Sequence, residues 1–480
     1  MIKRMNLLHR VLCIAALILL APVAKAQTSG TASVTPNPRS FAISDGRTPG
    51  GIRLVHLLIG DEKDQVFAFA WRDRLIQHMP EKAGLMNLGP GLVSTGGAGA
   101  LDAGAQEEEL QDIGGYFGLS RGRVSTLGLL TAPREQFEAT ARLLRISLME
   151  PRLPAITLER RKRFLANNRR ADREKAESIA SEALSLIIAG KHPIAATIGY
   201  SPASTIANVS VADVDAWRKA ILARSNLMVV SAGPLNREAA ADLVDRTFGD
   251  LPAQDGDREG IALTLPPGLD KTIVIEMPVA QSAIVVGGPL DWRSGGPEGT
   301  ARNIAMSVLG GGNRSRLFIA VREKLGAAYG ANAGFSPLLG SRGAFSMNAA
   351  VSNDKVATAL AAMRAEYEAF RTKGVMPEEI EPIKRRIINS LPDSMRKAGS
   401  AANTIRTSIL NGQPFDAPDL FNGWVENQSA ASINRLIEER LPTKLTSIIV
   451  TPSAEGLGAA GLTVDCVIKS LDELPSCLEP

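Results

Sequence analysis

Alternating apolar positions come in short runs, and longer runs of helical period follow them in a fixed order. Val66-Phe67-Ala68-Phe69-Ala70 reads as a strand, and small residues from Ala83 to Val93 read as a helix. A Gly115-Tyr116 element, a strand over Val124–Leu130 and an amphipathic helix over Glu135–Met149 come next. Pro154 then opens a charged helix near Leu158. Its apolar members (Leu158, Phe164, Leu165, Ile179, Ala180, Leu184, Leu186, Ile187) predict one long helix, stopped by Gly190 and Pro193.

The same order recurs downstream. A strand at Ala283–Val286 precedes a helix near Ala301–Leu309 and then Tyr329. A strand over Gly343–Ala350, a helix over Lys355–Thr372, Pro377 and a charged helix over Glu379–Leu391 complete the series. Each series closes with a strand, at Leu227–Val230 and at Ser447–Val450. Tyr116 and Tyr329 lie 213 positions apart, Ala83 and Ala301 218, Val229 and Ile448 219, and Pro154 and Pro377 223. Near-constant spacing over so long a stretch indicates a duplicated chain. Strands and helices do not alternate strictly. The expected class is therefore α+β: two homologous domains, each a mainly antiparallel sheet with helices packed on one face. The expected domains are 46–250 and 269–455, joined by a breaker-rich linker at 251–268 and followed by an extension at 456–480.

The N-terminus carries a different pattern. Lys3, Arg4 and Arg10 precede 12 apolar residues from Val11 to Pro22, and Ala24-Lys25-Ala26 follows. This predicts a signal peptide over 1–26, cleaved after Ala26, a flexible leader over 27–45 and a periplasmic location. No later segment reaches the roughly 18 apolar residues of a membrane span. The signal holds Lys3, Arg4, Arg10 and Lys25. Removing these four of 54 basic residues leaves 50 against 50 acidic, so no electrostatic footprint for nucleic acid remains. Arg160 to Arg163, Arg169 and Arg170 are offset by Glu159, Asp172, Glu174 and Glu177 and read as a solvated helix face. Cys466 and Cys477 remain after export. An oxidising compartment favours their pairing, with a stabilisation of roughly 2–3 kcal/mol, over two free thiols.

Candidate chemistry is sparse. The mature chain has His56, His78 and His192, no two of them four apart, so no helix face offers a paired-imidazole metal site. There is no G-x-S-x-G and no C-x-x-C. The most distinctive run is Asn313-Arg314-Ser315-Arg316-Leu317-Phe318, leading to Val321-Arg322-Glu323-Lys324-Leu325-Gly326-Ala327-Ala328-Tyr329.

This run resembles the S-R-L-F-x-x-(L/V)-R-E-x-x-G-x-A-Y signature of the pitrilysin/insulinase-type zinc peptidases, also called inverzincins. The order of elements over nearly all of residues 46–452 is similar to that family as well. The resemblance implies a clamshell of two homologous halves. It also implies an H-x-x-E-H helix in the first half, in which both His bind zinc and the Glu is the general base. Aligned on Gly84-Leu85, those positions here are Asn87, Pro90 and Gly91, and the later Glu ligand falls near Phe164–Asn168, where there is no carboxylate. No catalytic residue and no metal are therefore expected in this chain. Interior Gly and Pro disfavour a helix by about 1 and 3 kcal/mol. The helix is thus expected to kink or end at Gly89-Pro90-Gly91 and to pass, with Gly96, Gly97, Gly99 and Gly104, into a flexible loop.

By the same resemblance, Arg322 would anchor a substrate carbonyl or carboxylate, and Tyr329 would donate a hydrogen bond to the scissile carbonyl. His192 corresponds to a structural loop. The combination implies a non-catalytic subunit, inactive alone, that supplies Arg322 and Tyr329 to a homologous H-x-x-E-H partner holding the zinc. Two other readings stay open. One is a pseudo-peptidase that binds peptides or acts as a scaffold in the cell envelope. The other is an autonomous hydrolase with unrecognised ligands.

Overall fold

The structure, a computed structural model, describes residues 41–199 and 201–478, apart from the side chain of Tyr329. The signal peptide and most of the leader lie outside the described residues. Among those described, no helix is long and apolar enough to cross a membrane.

Two six-stranded sheets carry the duplication. The first contains β1 (Ser44–Arg47), β2 (Arg53–Leu58), β3 (Asp64–Arg72), β4 (Tyr116–Arg121), β5 (Ser125–Pro133) and β6 (Leu227–Gly233), in the order β1-β2-β6-β3-β5-β4. The second contains β7 (Thr272–Glu276), β8 (Ser282–Asp291), β9 (Ala328–Leu339), β10 (Arg342–Val351), β11 (Thr446–Thr451) and β12 (Cys466–Ile468), in the order β12-β7-β11-β8-β10-β9. Five strands correspond one to one: β2 to β7, β3 to β8, β4 to β9, β5 to β10 and β6 to β11. Pairing is antiparallel except for β2 with β6, β7 with β11 and β12 with β7. The α+β class and the mainly antiparallel sheets are as expected.

The sixth strand differs between the halves. In the first sheet it is the N-terminal β1, antiparallel to β2. In the second it comes from the C-terminal extension, where β12 lies parallel to β7. Cys466 opens β12 and is bonded to Cys477, with their Cα atoms 5.6 Å apart. The disulfide closes the extension onto the sheet edge.

The central strands are buried on both faces. In β3, Phe67, Phe69 and Trp71 enter one core, and Val66 and Ala68 enter another, as a period of two requires. In β8, Ile284, Val286 and Leu290 alternate in the same way with Ala283 and Val285. One face of each sheet is covered by helices of its own half. The other face is covered by a helix of the opposite half, which the hydrophobic pattern did not assign. The Ala176–Ala189 helix puts Ala180, Ala183, Leu184 and Ile187 on the second sheet, beside Ile273, Val285 and Ile448. The Ala398–Leu410 helix puts Ala398, Ala401, Ala402 and Ile405 on the first, beside Val55, Ala68 and Val230. Each buried aliphatic side chain contributes roughly 1.5–3 kcal/mol, so this exchange binds the halves together.

The exchange explains one departure from expectation. The charged helix does not run unbroken to Gly190. It stops at Asp172 and restarts at Ala176. The first piece, Ala155–Asp172, buries only Leu158 fully, whereas the second is apolar over most of its length. A break lets the second piece turn onto the other sheet. Glu182 clips the corner, facing Arg173 at 3.1 Å and Arg169 at 3.7 Å.

Candidate functional site

Asn87, Pro90 and Gly91 all lie on one helix, Leu85–Thr95, in the first half. The helix neither ends nor opens into a loop at Gly89-Pro90-Gly91, contrary to expectation. It runs through Pro90 to Thr95. Packing outweighs propensity here, because Leu85, Leu88, Leu92 and Val93 are all sunk in the first-half core. Gly89 is required by that packing, since a Cβ would stand 3.0 Å from the ring of Trp217. Trp217 cannot yield easily; it is buried, and its indole N–H donates to Asp73 at 2.8 Å. Burial raises the Asp73 carboxyl above the usual carboxylate range.

The glycine-rich segment that follows is also not a loose loop. Gln106, 3% exposed, holds it from a neighbouring helix. Its side-chain oxygen accepts from the Gly97 N–H at 3.0 Å, and its amide donates to the Ser94 carbonyl at 3.1 Å and to Ser147 Oγ at 2.9 Å. The expected flexibility assumed that glycine content alone decides order. Hydrogen bonds decide it instead, those of the Gln106 amide together with the Gly99 N–H to the Glu150 carbonyl at 2.9 Å and the Arg152 N–H to the Gly97 carbonyl at 3.0 Å.

The residues at the family's metal positions do not fit a metal. Asn87 uses its amide to donate to Ser201 Oγ at 3.1 Å. Pro90 has no donor atom. Gly91 has no side chain, and the space a side chain would take is occupied. A Cβ there would overlap Arg161 Nη1 and stand 2.9 Å from its Cζ. Arg161 reaches over from the Ala155–Asp172 helix and donates from Nη2 to Thr95 Oγ1. A cation seated there repels a metal ion rather than ligating it. Among the described residues, no group of three or more His, Cys, Asp or Glu could hold a metal.

The three imidazoles among the described residues are engaged elsewhere. His56 is 5% exposed on β2, and its Nδ1 is 3.3 Å from Ser231 Oγ. His78 Nε2 is 2.9 Å from the Glu259 carbonyl. His192 Nδ1 accepts from the Ile194 N–H at 3.0 Å, so its Nε2 carries the proton and donates to the Ile261 carbonyl at 3.0 Å. His78 and His192 therefore hold the segment expected as a linker, aided by the Arg74–Asp257 ion pair at 2.9 Å. Gln77 adds a bond to the Ile261 N–H at 2.7 Å.

Arg322 lies in the second half, in a π turn over Ile319–Lys324 that packs beside β9. It is exposed, and its guanidinium carbon stands 5.3 Å from the centre of the Phe318 ring. Gly326, with φ +57°, closes the turn and admits the chain to β9, which carries Tyr329. The side chain of Tyr329 lies outside the description. The structure thus places Asn87, Pro90 and Gly91 in one half and Arg322 in the other.

The neighbouring Arg316 was not assigned a role from sequence. It makes a two-pronged pair with Glu379, at 2.8 and 2.7 Å, and donates to the Gly374 carbonyl at 2.8 Å. The pair holds the Glu379 carboxyl below its usual range and fixes the start of the Arg322 turn against the Pro377–Met395 helix. The signal was present in the sequence as Glu379 in the first turn of a proline-led helix, but nothing there named its partner.

Comparison with known proteins bears on the fold. Residues 208–387 match the family described as peptidase M16 inactive domain. An uncharacterized zinc protease of Rickettsia bellii is 28% identical over 146 residues, 30% of this chain and 35% of that protein. The matched stretch is thus about a third of that relative. A crystal structure of a peptidase M16 inactive domain from Pseudomonas fluorescens has a TM-score of 0.78 at 19% identity, covering 86% of this chain and 98% of that one. The periplasmic protease PqqL from Escherichia coli has a TM-score of 0.74 at 15% identity, covering 90% of this chain and 49% of that one. These two likenesses establish the fold. The chain thus shares the fold of these structures, and over residues 208–387 it is similar to the peptidase M16 inactive domain family.

Proposed function

We propose that this chain is the non-catalytic subunit of a periplasmic heterodimeric zinc metallopeptidase. Its partner is a homologous subunit that carries H-x-x-E-H and holds the zinc. One contrast supports the reading. The metal positions are lost, with Arg161 lying in the space of the second ligand, while the signature around Arg322 keeps both its residues and an ordered, exposed turn. In this division of labour, Arg322 binds a carbonyl or carboxylate of the peptide substrate through its planar fork. The Tyr329 hydroxyl donates to the scissile carbonyl, where negative charge grows in the transition state. An obligate interface of this kind buries about 2,000 Å² or more.

The test is peptide hydrolysis by this chain alone, by the partner alone and by the mixture. The chain alone is inactive, and the mixture exceeds the partner. Arg322→Ala and Tyr329→Phe each lower the mixture's rate by about tenfold or more, the loss typical of one transition-state donor. Unchanged rates in both variants overturn the site assignment. No gain on mixing leaves the peptide-binding or scaffold reading in its place.

A further inference from the structure

The lost metal position is filled by a positively charged group. Arg161 stands over Gly91, where a Cβ would overlap its Nη1. Asn87 precedes Gly91 by one helical turn and so shares its face. Two turns after Arg161, Arg169 donates to the Ser201 carbonyl at 2.8 Å, and Asn87 donates to the hydroxyl of the same Ser201. The two helices are thus joined at two points, directly by Arg161 and Thr95 and through Ser201 by Arg169 and Asn87.

Arg161 is half-buried, and the loss of water lowers its pKa. Several basic residues of this corner have counter-ions, and Arg160, Arg163 and Arg170, which make no ion pair among the described residues, are exposed to water. Lys162 pairs with Glu159, Arg169 and Arg173 face Glu182, and Lys175 pairs with Asp172. Arg161 has none among the described residues. Its one side-chain hydrogen bond goes to the neutral Thr95 hydroxyl, which leaves the Nε hydrogen and the second hydrogen of Nη2, which share one edge, to donate elsewhere. A partly desolvated cation without a counter-charge is costly, and an anion of matching shape offsets that cost. The planar fork of a guanidinium matches the two oxygens of a carboxylate.

We propose that Arg161, seated over Gly91, is a carboxylate-binding site for peptides, and that it takes either a free C-terminus or an acidic side chain. The inference rests on the peptide-handling side of the proposed function only for the nature of the ligand. It requires neither the partner nor cleavage.

The experiment is a fluorescence-anisotropy titration of the full mature chain with three labelled octapeptides of Ala, Leu and Ser. One ends in a free carboxylate, one in an amide, and one in an amide with a single internal Glu. At least one carboxylate peptide binds about tenfold tighter than the neutral amide, and added salt narrows the gap. Arg161→Met removes the discrimination. Arg161→Lys restores only part of it, because an ammonium lacks the fork. The peptide that gains identifies the source, C-terminus or side chain. Equal binding of all three peptides to the wild type overturns the proposal, and so does discrimination that survives Arg161→Met. Should Arg161→Met fold poorly, the charge-keeping Arg161→Lys decides instead: undiminished discrimination in that variant also overturns the proposal. The partner role stands or falls separately, on the rate of the mixture.

Discussion

His56 makes the stability of the first half depend on pH in a calculable way. It sits in the middle of β2, paired across to Ser231 of β6 and Ser44 of β1. Gln65 donates to Ser231 Oγ at 2.9 Å, which leaves the serine hydroxyl hydrogen for the imidazole. Burial, and then the nearby Arg237, lower the His56 pKa from 6.5 to about 4. The folded chain therefore keeps His56 neutral until about pH 4, whereas the unfolded chain protonates it near pH 6.5. Between these values the unfolded state binds more protons. The stability from His56 is present above pH 6.5 and is lost as pH falls through the window. At 1.36 kcal/mol per unit the whole window corresponds to roughly 3 kcal/mol, and the loss by pH 5 to about 2 kcal/mol. Asp73, raised by burial, acts in the opposite sense and offsets part of the observed slope. Comparison with His56→Gln cancels that contribution. Urea unfolding followed by tryptophan fluorescence at pH 7.5 and pH 5.0 supplies the two differences. Wild type should lose about 2 kcal/mol more than His56→Gln over that interval. Equal losses in the two proteins would refute the claim that a neutral imidazole is held in this core.

Two further outcomes follow from the same structure. Pro90→Ala restores a backbone donor inside the Leu85–Thr95 helix, worth about 3 kcal/mol, and removes two buried methylenes at about 0.8 kcal/mol each. The variant should therefore be about 1–2 kcal/mol more stable in chemical denaturation, and a less stable variant would show that the proline is itself needed for the packing. Reducing the Cys466–Cys477 bond should free the C-terminal strap at a cost of roughly 2–3 kcal/mol. Limited proteolysis of the reduced protein should then cut between Cys466 and Cys477 while the rest of the second sheet resists, and no change in cleavage there would remove the strap role.

Much of the architecture was legible along the chain. The alternation in β3 and β8 is the direct imprint of a pleated strand buried on both faces. The repeated order of elements foretold two related halves, and the strand correspondence bears this out. The exchange of helices was not legible. The apolar face of Ala176–Ala189 has the period of any buried helix, and that period carries no information about which sheet it covers. The break before it has no glycine or proline to mark it. The rod-like reading failed because an ion-paired corner at Glu182 serves where a breaker residue was absent. At Gly89-Pro90-Gly91 the reverse happened: strong breakers were present, and a buried helix face overrode them.

The amino-acid sequence by itself determined that no metal set of the family's kind exists here, because ligation depends on side-chain chemistry and Asn, Pro and Gly do not supply it. Only the tertiary structure decided what took its place. Gly91 and Arg161 are 70 positions apart in the chain, and the crossing of two helices makes the void of one the seat of the other. A missing side chain can be read in one dimension. The atoms that fill its space belong to whatever the fold brings alongside, and that is settled only in three.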